Sequence, residues 1–327
     1  MQSYQIESNQ AGQRLDKFLH KFMPDAGNGF LYKMLRKKNI VLNGKKAEGR
    51  EILAVGDTVS FFFSEETFHK FAVQGEESKS VDVSDYERAF RQLKGISVVY
   101  EDADILIADK PAGILTQKAT ASDCSLNEWM IGYLLSEKKI TGKTLATFKP
   151  SVQNRLDRNT SGLVLCGISL RGSQLLSRLI SDRSLHKYYF TLVKGQIFEK
   201  RELSGYLKKD TKTNMVTITD KEENGSPIRT ILEPVTCKKD ITLLKVELVT
   251  GKTHQIRAHL ASSGHPILGD TKYGDKRFNE SFRGKIPPHQ LLHAGRVEFP
   301  ILSAPFSHLS NKVFTSPLPF KLEEVSE

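Results

Sequence analysis

Cysteine is scarce in this 327-residue chain: Cys124, Cys166 and Cys237 stand alone, with no CxxC pair among them. An odd, scattered set excludes a disulfide framework and fits a reducing compartment. Long apolar runs are also missing. Stretches such as Val59 to Phe63 fall far below the ~18 residues that a membrane span needs. The opening MQSYQIESNQAGQRLDKF lacks the apolar core of a signal peptide. The expected location is therefore the cytoplasm, with no membrane partner. Internal repeats and low-complexity tracts are absent too.

What is present is an excess of positive charge. Lys and Arg number 48 against 38 Asp and Glu, a formal net charge of +10. Such a balance fits a polyanionic partner, most simply nucleic acid, and equally fits a basic protein with no such partner. Apolar residues make up 39% and charged residues 26%, which excludes a fibrous or wholly disordered chain. The length suggests about two domains.

Residues 1–63 are expected to form a small unit. In AGQRLDKFLHKFM, Leu15, Phe18, Leu19 and Phe22 fall at helical spacing on one apolar face. In FLYKMLRKKN, Leu31, Met34 and Leu35 should pack inward while Lys33, Arg36, Lys37 and Lys38 cluster at the end. IVLNG predicts a short strand ended by an Asn43-Gly44 turn, with Lys45 and Lys46 just beyond it. AVGDTVSFFF adds a second turn and strand. Residues 64–94 have mixed charge and weak periodicity, including EESKS and DVSD, and read as a connector with one short helix.

Residues 95–327 change pattern. VVYEDADILIADKPAG predicts two strands around an acidic turn. GLVLCGIS, KYYFTLVKG, NMVTITDK, PIRTILEPV and ITLLKVELVTG are strand-like. LRGSQLLSRLISDR, capped by Ser169, and THQIRAHLASSG, starting near Thr253, are helical. Strands outnumber helices and adjoin as hairpins, so the expected class is α+β on a mixed, mostly antiparallel sheet.

Three constellations could carry chemistry. In NRLDRNTSGLVL, Arg155 and Arg158 flank Asp157 in a loop entering a strand, and positive neighbours favour an ionised carboxylate. The plain alternative is a turn whose Asp accepts backbone hydrogen bonds. In HKYYFTLVKG, alternation puts Tyr189 on the face opposite Tyr188 and Phe190. Such an aromatic either stacks on a base or fills a core position. The third is VTGKTHQIRAHLASSGHPILGD. Its Gly251-Lys252-Thr253 triplet invites a phosphate-loop reading, but the loop also requires glycine at position 246, which is Val, so no nucleotide cofactor is expected. His254, His259 and His265 lack HExxH spacing and any acidic ligand between them, which argues against zinc. Contacts to backbone carbonyls or to RNA remain for them.

Taken in order, VVYEDADILIADKPAG, NRLDRNTSGLVL, KYYFTLVKG, TGKTHQIRAHLASSGHPILGDTKYG and LLHA (Leu291 to Ala294) resemble the RluA-type pseudouridine synthases. The likeness is greatest to the RluC and RluD branch, which modifies large-subunit ribosomal RNA. It extends over about residues 96 to 320, through the closing FTSPLPF. RLDKFL, LRKKNIVLNGKK and VGDTV resemble a small RNA-binding module shared with a ribosomal small-subunit protein.

The resemblance implies an isomerase that breaks the carbon–nitrogen glycosidic bond of a uridine in RNA, turns the uracil and rejoins it through carbon five. Nothing is oxidised and no group is lost, so no cofactor is implied, and one copy of the chain suffices. It implies Asp157 as the catalytic carboxylate, Tyr189 as the aromatic stacked on the target base, and Arg257 as the ion-pair partner of Asp157. RNA contacts would come from Arg14, Lys33, Arg36, Lys37, Lys38, Lys45, Lys46, Arg155 and Lys187. Asn154 stands where many relatives have His, and Lys252 where many have Arg. The rival readings are a synthase acting on transfer RNA and a silent RNA-binding assembly factor.

Overall fold

The Asn43-Gly44 pair turns as its composition requires. Both residues are left-handed, at φ 50° and 71°, which joins two short strands with the twist of a tight hairpin. In the computed structural model, which describes residues 2–7, 10–71, 81–210, 215–222 and 225–322, this hairpin belongs to an N-terminal unit. Its elements are β1 (Gln2–Gln5), α1 (Leu15–Phe22), α2 (Asn28–Arg36), β2 (Ile40–Leu42), β3 (Lys45–Lys46), β4 (Thr58–Phe61) and α3 (Glu65–Phe71). The strands pair antiparallel in the order β1-β4-β2-β3. Leu15, Phe18, Leu19 and Phe22 are buried as the helical spacing predicts. Phe22 stacks on Phe61, their centroids 5.3 Å apart, and Phe68 of α3 packs edge-on to both. Lys33, Arg36, Lys37, Lys38, Lys45 and Lys46 are all exposed.

Among the described residues of the expected connector there are two helices where the sequence suggested one: α3, which packs on this unit, and α4 (Ser84–Gln92). EESKS falls outside the described residues. Tyr86 and Ala89 of α4 are buried against α5 (Leu126–Ser136), and the fit is close. A Cβ on Gly132 would come within 2.2 Å of the Tyr86 carbonyl oxygen. Helices this short are marginal on their own, and tertiary packing stabilises them.

The second unit is built from β5 (Ser97–Glu101), β6 (Ile105–Lys110), α5, α6 (Gly142–Thr147), β7 (Ser151–Val152), β8 (Ser161–Gly167), α7 (Leu170–Ser181), β9 (His186–Lys194) and β10 (Arg201–Lys209). It continues with β11 (Val216–Thr219), β12 (Ser226–Lys238), β13 (Ile241–Leu248), α8 (Gln255–Ser262), α9 (Lys276–Glu280), β14 (Leu292–Glu298) and β15 (Val313–Thr315). Among the described residues, eleven strands join one sheet in the order β11-β10-β12-β13-β9-β14-β8-β6-β5, with β15 on β14 and β7 on β8. Among the described strands only β14 and β8 pair in parallel. The mixed, mostly antiparallel α+β class is therefore what the chain adopts.

Both faces of the sheet centre are covered. Leu106, Ala108, Val164 and Cys166 face one core, while Ile105, Ile107, Leu163 and Leu165 face another beneath α7. That is why GLVLCG is a continuous apolar run and not an alternating one. Ser169 caps α7 by accepting from the Gly172 N–H at 3.0 Å. No helix of the described residues is long and apolar enough to cross a membrane.

The parallel contact positions the site. β14 wedges between β8 and β9, with His293 opposite Ser161 and Ala294 opposite Gly162. Gly162 permits this approach, since a Cβ there would lie 2.3 Å from the Ala294 carbonyl oxygen. The loop entering β8 is thereby brought to the side of β9.

Candidate active site

The Asp157 loop is fixed at each of its neighbours. Asn154 extends the β8 ladder with its side chain: its Oδ1 accepts from the Leu165 N–H at 2.7 Å. Its amide is thus engaged with the backbone and is not among the residues lining the pocket beside Asp157. Both backbone polar groups of Leu156 bond to the Thr116 hydroxyl, at 3.1 and 2.8 Å. The Arg158 carbonyl oxygen accepts from the Gly113 N–H at 2.9 Å and from Lys110 Nζ at 3.1 Å. Ser161 Oγ lies 2.8 Å from His293 Nδ1. A side chain on so firmly held a loop keeps its direction.

Among the described residues, the Asp157 carboxylate meets side chains and no backbone N–H. This sets aside the plain turn reading. Arg257 Nη1 donates to its Oδ2 at 2.8 Å, and His254 Nε2 stands 3.9 Å from its Oδ1. Two further donors of Arg257 go to Asp270, Nε at 2.7 Å and Nη2 at 2.9 Å. Asp270 Oδ1 also accepts from the backbone N–H groups of Lys272 and Tyr273, at 2.8 and 3.0 Å. Burial pushes the Asp270 carboxyl up, but Arg257 and these two N–H groups outweigh it and hold it below the usual carboxylate range. Burial pulls the Arg257 guanidinium down, and the two carboxylates more than reverse that.

Arg257 therefore acts as a bridge. A fully buried carboxylate fixes its plane, and a partly exposed one receives its outer edge. The Tyr273 ring lies beneath the guanidinium, with 5.2 Å to the ring centroid, and adds cation–π attraction.

Tyr189 lines the same pocket, with Leu248, Leu292 and Thr160. It is buried, unlike its half-buried neighbours Tyr188 and Phe190, as strand alternation predicts. Burial pushes its phenol up, and the Asp157 charge adds to this, so the group stays protonated. Among the described residues its hydroxyl has no hydrogen-bond partner and is left for a ligand.

The helix carrying Arg257 starts later than predicted. His254 is left-handed, at φ 54°, and the helix begins at Gln255. Gln255 anchors this start, giving its amide hydrogens to the Arg229 carbonyl and the Thr230 hydroxyl, at 3.1 and 3.0 Å. The three histidines of this segment diverge. His254 Nδ1 is 3.0 Å from the Tyr273 hydroxyl, His259 Nδ1 is 3.0 Å from the Thr230 hydroxyl, and His265 Nδ1 is 3.0 Å from the Lys194 carbonyl oxygen.

Sequence reasoning did not single out Lys110, Asp270 or Tyr273. Lys110 is fully buried, and its Nζ reaches the carbonyl oxygens of Pro111, Ile114 and Arg158 at 3.0, 2.9 and 3.1 Å. Burial pulls its amine down to about 7, against the opposing charges of Asp157 and Asp109. Three carbonyl acceptors match the three hydrogens of an ammonium, so Lys110 ties the Asp157 loop to the loop after β6. The only signal was a lysine closing an otherwise apolar strand. Lys110→Met should cost about 2–4 kcal/mol, from buried carbonyls left without donors. Urea unfolding of the variant and wild type measures this directly, and a loss below about 0.5 kcal/mol counts against the tie.

The candidate RNA contacts are dispersed. Arg155 is exposed at the pocket. Arg14 is tied to Asp16 at 2.6 Å. Lys187 is half-buried on β9 opposite Val297, and burial holds its amine low.

Residues 104–262 match the family described as RNA pseudouridylate synthase. An uncharacterized RNA pseudouridine synthase of Mycoplasma pneumoniae is 31% identical over 301 residues, 88% of this chain and 84% of that protein. Ribosomal large subunit pseudouridine synthase C of Vibrio parahaemolyticus is 27% identical over 99% of this chain and 95% of its own length. Among solved structures, human RNA Pseudouridylate Synthase Domain Containing 4 has the same fold, at TM-score 0.54 and 17% identity over 72% of this chain and 92% of that one. Similarity of this extent, spanning both the small unit and the large sheet, does not arise from one shared motif. The chain belongs to the RluA-type family of RNA pseudouridine synthases.

Proposed function

We propose that Asp157 is the carboxylate that acts on the target uridine, with Arg257 holding its charge and Tyr189 stacking on the uracil. The observation that carries this reading is the open oxygen of Asp157. Oδ2 is bonded to Arg257, while among the described residues Oδ1 accepts no hydrogen bond, His254 Nε2 standing 3.9 Å away, and Asp157 and Tyr189 line one pocket. A uridine must leave its stack to reach that oxygen, at a cost of a few kcal/mol. Stacking on Tyr189 offsets about 1–3 kcal/mol of that cost. All three side chains come from a single chain, so the reading needs no second copy.

The proposed substrate is large-subunit ribosomal RNA, which places the enzyme in the cytoplasm. Support comes from the relatives named for that subunit, one of which aligns over 99% of the chain. We assign residues 1–63 as an RNA-binding module, 64–94 as the connector and 95–327 as the catalytic domain. Six exposed cations of the module, Lys33, Arg36, Lys37, Lys38, Lys45 and Lys46, support the first assignment. Changing five of them to Gln should flatten the salt dependence of binding by about 0.7 per lost contact in the log–log slope on single strands. An unchanged slope in filter binding from low to moderate salt removes the module from the interface.

Release of tritium from carbon five of labelled uridine tests the substrate. Label released from large-subunit RNA and not from transfer RNA is the expected result. The reverse pattern keeps the chemistry and moves the substrate to transfer RNA.

A further inference from the structure

His254 is conspicuous on three independent grounds. It lines the pocket with its Nε2 side toward Asp157. It holds a left-handed backbone, which non-glycine residues adopt at a cost of roughly 1–3 kcal/mol. And its ring is oriented from behind by Tyr273, whose hydroxyl is 3.0 Å from Nδ1.

That hydroxyl determines the tautomer. Tyr273 Oη already accepts the Val216 N–H at 2.9 Å. Its own hydrogen has one acceptor among the described residues, His254 Nδ1. With Nδ1 accepting, the ring proton sits on Nε2. The carboxylate of Asp157 on the same side favours a hydrogen there as well. Burial lowers the imidazole's affinity for a second proton, Asp157 opposes this, and Arg257 and Lys272 reinforce it, so the ring is held neutral. At 3.9 Å, Nε2 is beyond hydrogen-bond distance of Asp157. Its hydrogen faces the space between them.

Few other neutral donors reach that space. Arg257 commits Nε, Nη1 and Nη2 to carboxylates, and the amide of Gln255 is committed to backbone and Thr230. The hydroxyls of Tyr189 and of Thr160, which accepts from Gln290 Nε2 at 3.3 Å, remain with His254 Nε2–H, and Nε2 is the one that stands 3.9 Å from Asp157 Oδ1.

We propose that His254 is a further catalytic residue, whose Nε2–H donates a hydrogen bond to the uracil as the glycosidic bond breaks, and that Tyr273 is the positioning residue that keeps this hydrogen there. The inference rests on Asp157 acting in this pocket. When the C1′–N1 bond breaks, its electron pair stays with the ring as an anion spread over N1, O2 and O4. This holds whether Asp157 bonds to C1′ or removes the proton at C2′ to leave a C1′–C2′ double bond. His254 keeps its proton throughout and supplies only the hydrogen bond. A neutral imidazole suits this role, because a cation would pair with Asp157 and occupy the carboxylate.

The test uses the full chain and a large-subunit ribosomal RNA transcript labelled at carbon five, with transfer RNA in parallel. Wild type, Asp157→Ala, His254→Ala, His254→Gln, Tyr273→Phe and the His254→Gln/Tyr273→Phe double variant are compared. His254→Ala should slow single-turnover tritium release about a hundredfold while filter-binding Kd changes less than about twofold. Gln places an amide N–H near the Nε2 position and should restore the rate to within about fivefold of wild type. Tyr273→Phe should slow release when His254 is present and have no further effect in the Gln background, since an amide has no tautomer to fix.

Release by the wild type but not by Asp157→Ala establishes the active site. On that background, a His254→Ala protein as fast as wild type, or a Gln variant as slow as Ala, overturns the role of His254 alone. A folded wild type that releases no label from either RNA overturns the Asp157 reading and this inference with it.

Discussion

Asp157→Asn is expected to leave a folded protein that binds RNA and produces no pseudouridine, with turnover down by more than about a thousandfold. Asn has the shape of Asp and its carbonyl can still accept from Arg257, but it has neither the charge to attack carbon nor the basicity to remove a proton. Stability should change little. The side chain is a quarter exposed, and Arg257 keeps both of its bonds to Asp270. Tritium release gives the turnover, a thermal melt gives the fold, and filter binding gives the affinity. Multiple turnover by either Asp157→Asn or Asp157→Ala would remove Asp157 from the chemistry.

Arg257→Ala should instead damage stability and activity together. Asp270 is fully buried, and its carboxylate is balanced by Arg257 and two backbone N–H groups. Removing the guanidinium leaves that charge largely unpaired, at a cost of about 3–5 kcal/mol. The pH dependence should reverse as well. In the wild type the folded carboxyl lies below its ordinary value of 3.8, so its contribution is fully present above that value and is lost as pH falls. In the variant burial dominates, the folded carboxyl lies above 3.8, and stability declines as pH rises through that range. Urea unfolding at several pH values separates the two. A variant within about 1 kcal/mol of wild type at neutral pH would show that Asp270 does not depend on Arg257. Arg257→Lys keeps the charge but cannot hold two carboxylates in one plane, so partial stability with at least about a hundredfold lower turnover is expected.

These two variants differ because the two carboxylates differ in burial, and nothing local in the sequence conveys that. Asp157 and Asp270 each sit near a basic residue in a loop. Only the folded chain makes one a partly exposed group at a pocket and the other a buried counter-charge. Lys110 is a similar case. As a letter it is one of 48 cationic residues, and its burial follows from β6 running between β5 and β8 with both faces covered. The helix of THQIR was legible from its apolar spacing, whereas its start was not. The left-handed turn at His254 is accompanied by the Tyr273 contact and the anchoring of Gln255, neither of which helical spacing records.

The sequence by itself determined the α+β class, the α1 stripe, the Asn43-Gly44 hairpin and the placing of Tyr189 on the face opposite Tyr188 and Phe190. Each follows from a period of two or 3.6 residues or from the φ angles that a residue tolerates, all local properties. It also named Asp157 and Arg257, through likeness to a family. The tertiary structure decided that these two meet at 2.8 Å although they are 100 residues apart, that Asp270 holds the second side of the guanidinium, and that Lys110 and Thr116 secure the loop. Contacts of this kind form when β14 wedges between β8 and β9 and draws distant loops to one edge. They depend on burial and on the pairing of remote strands, which no local pattern specifies.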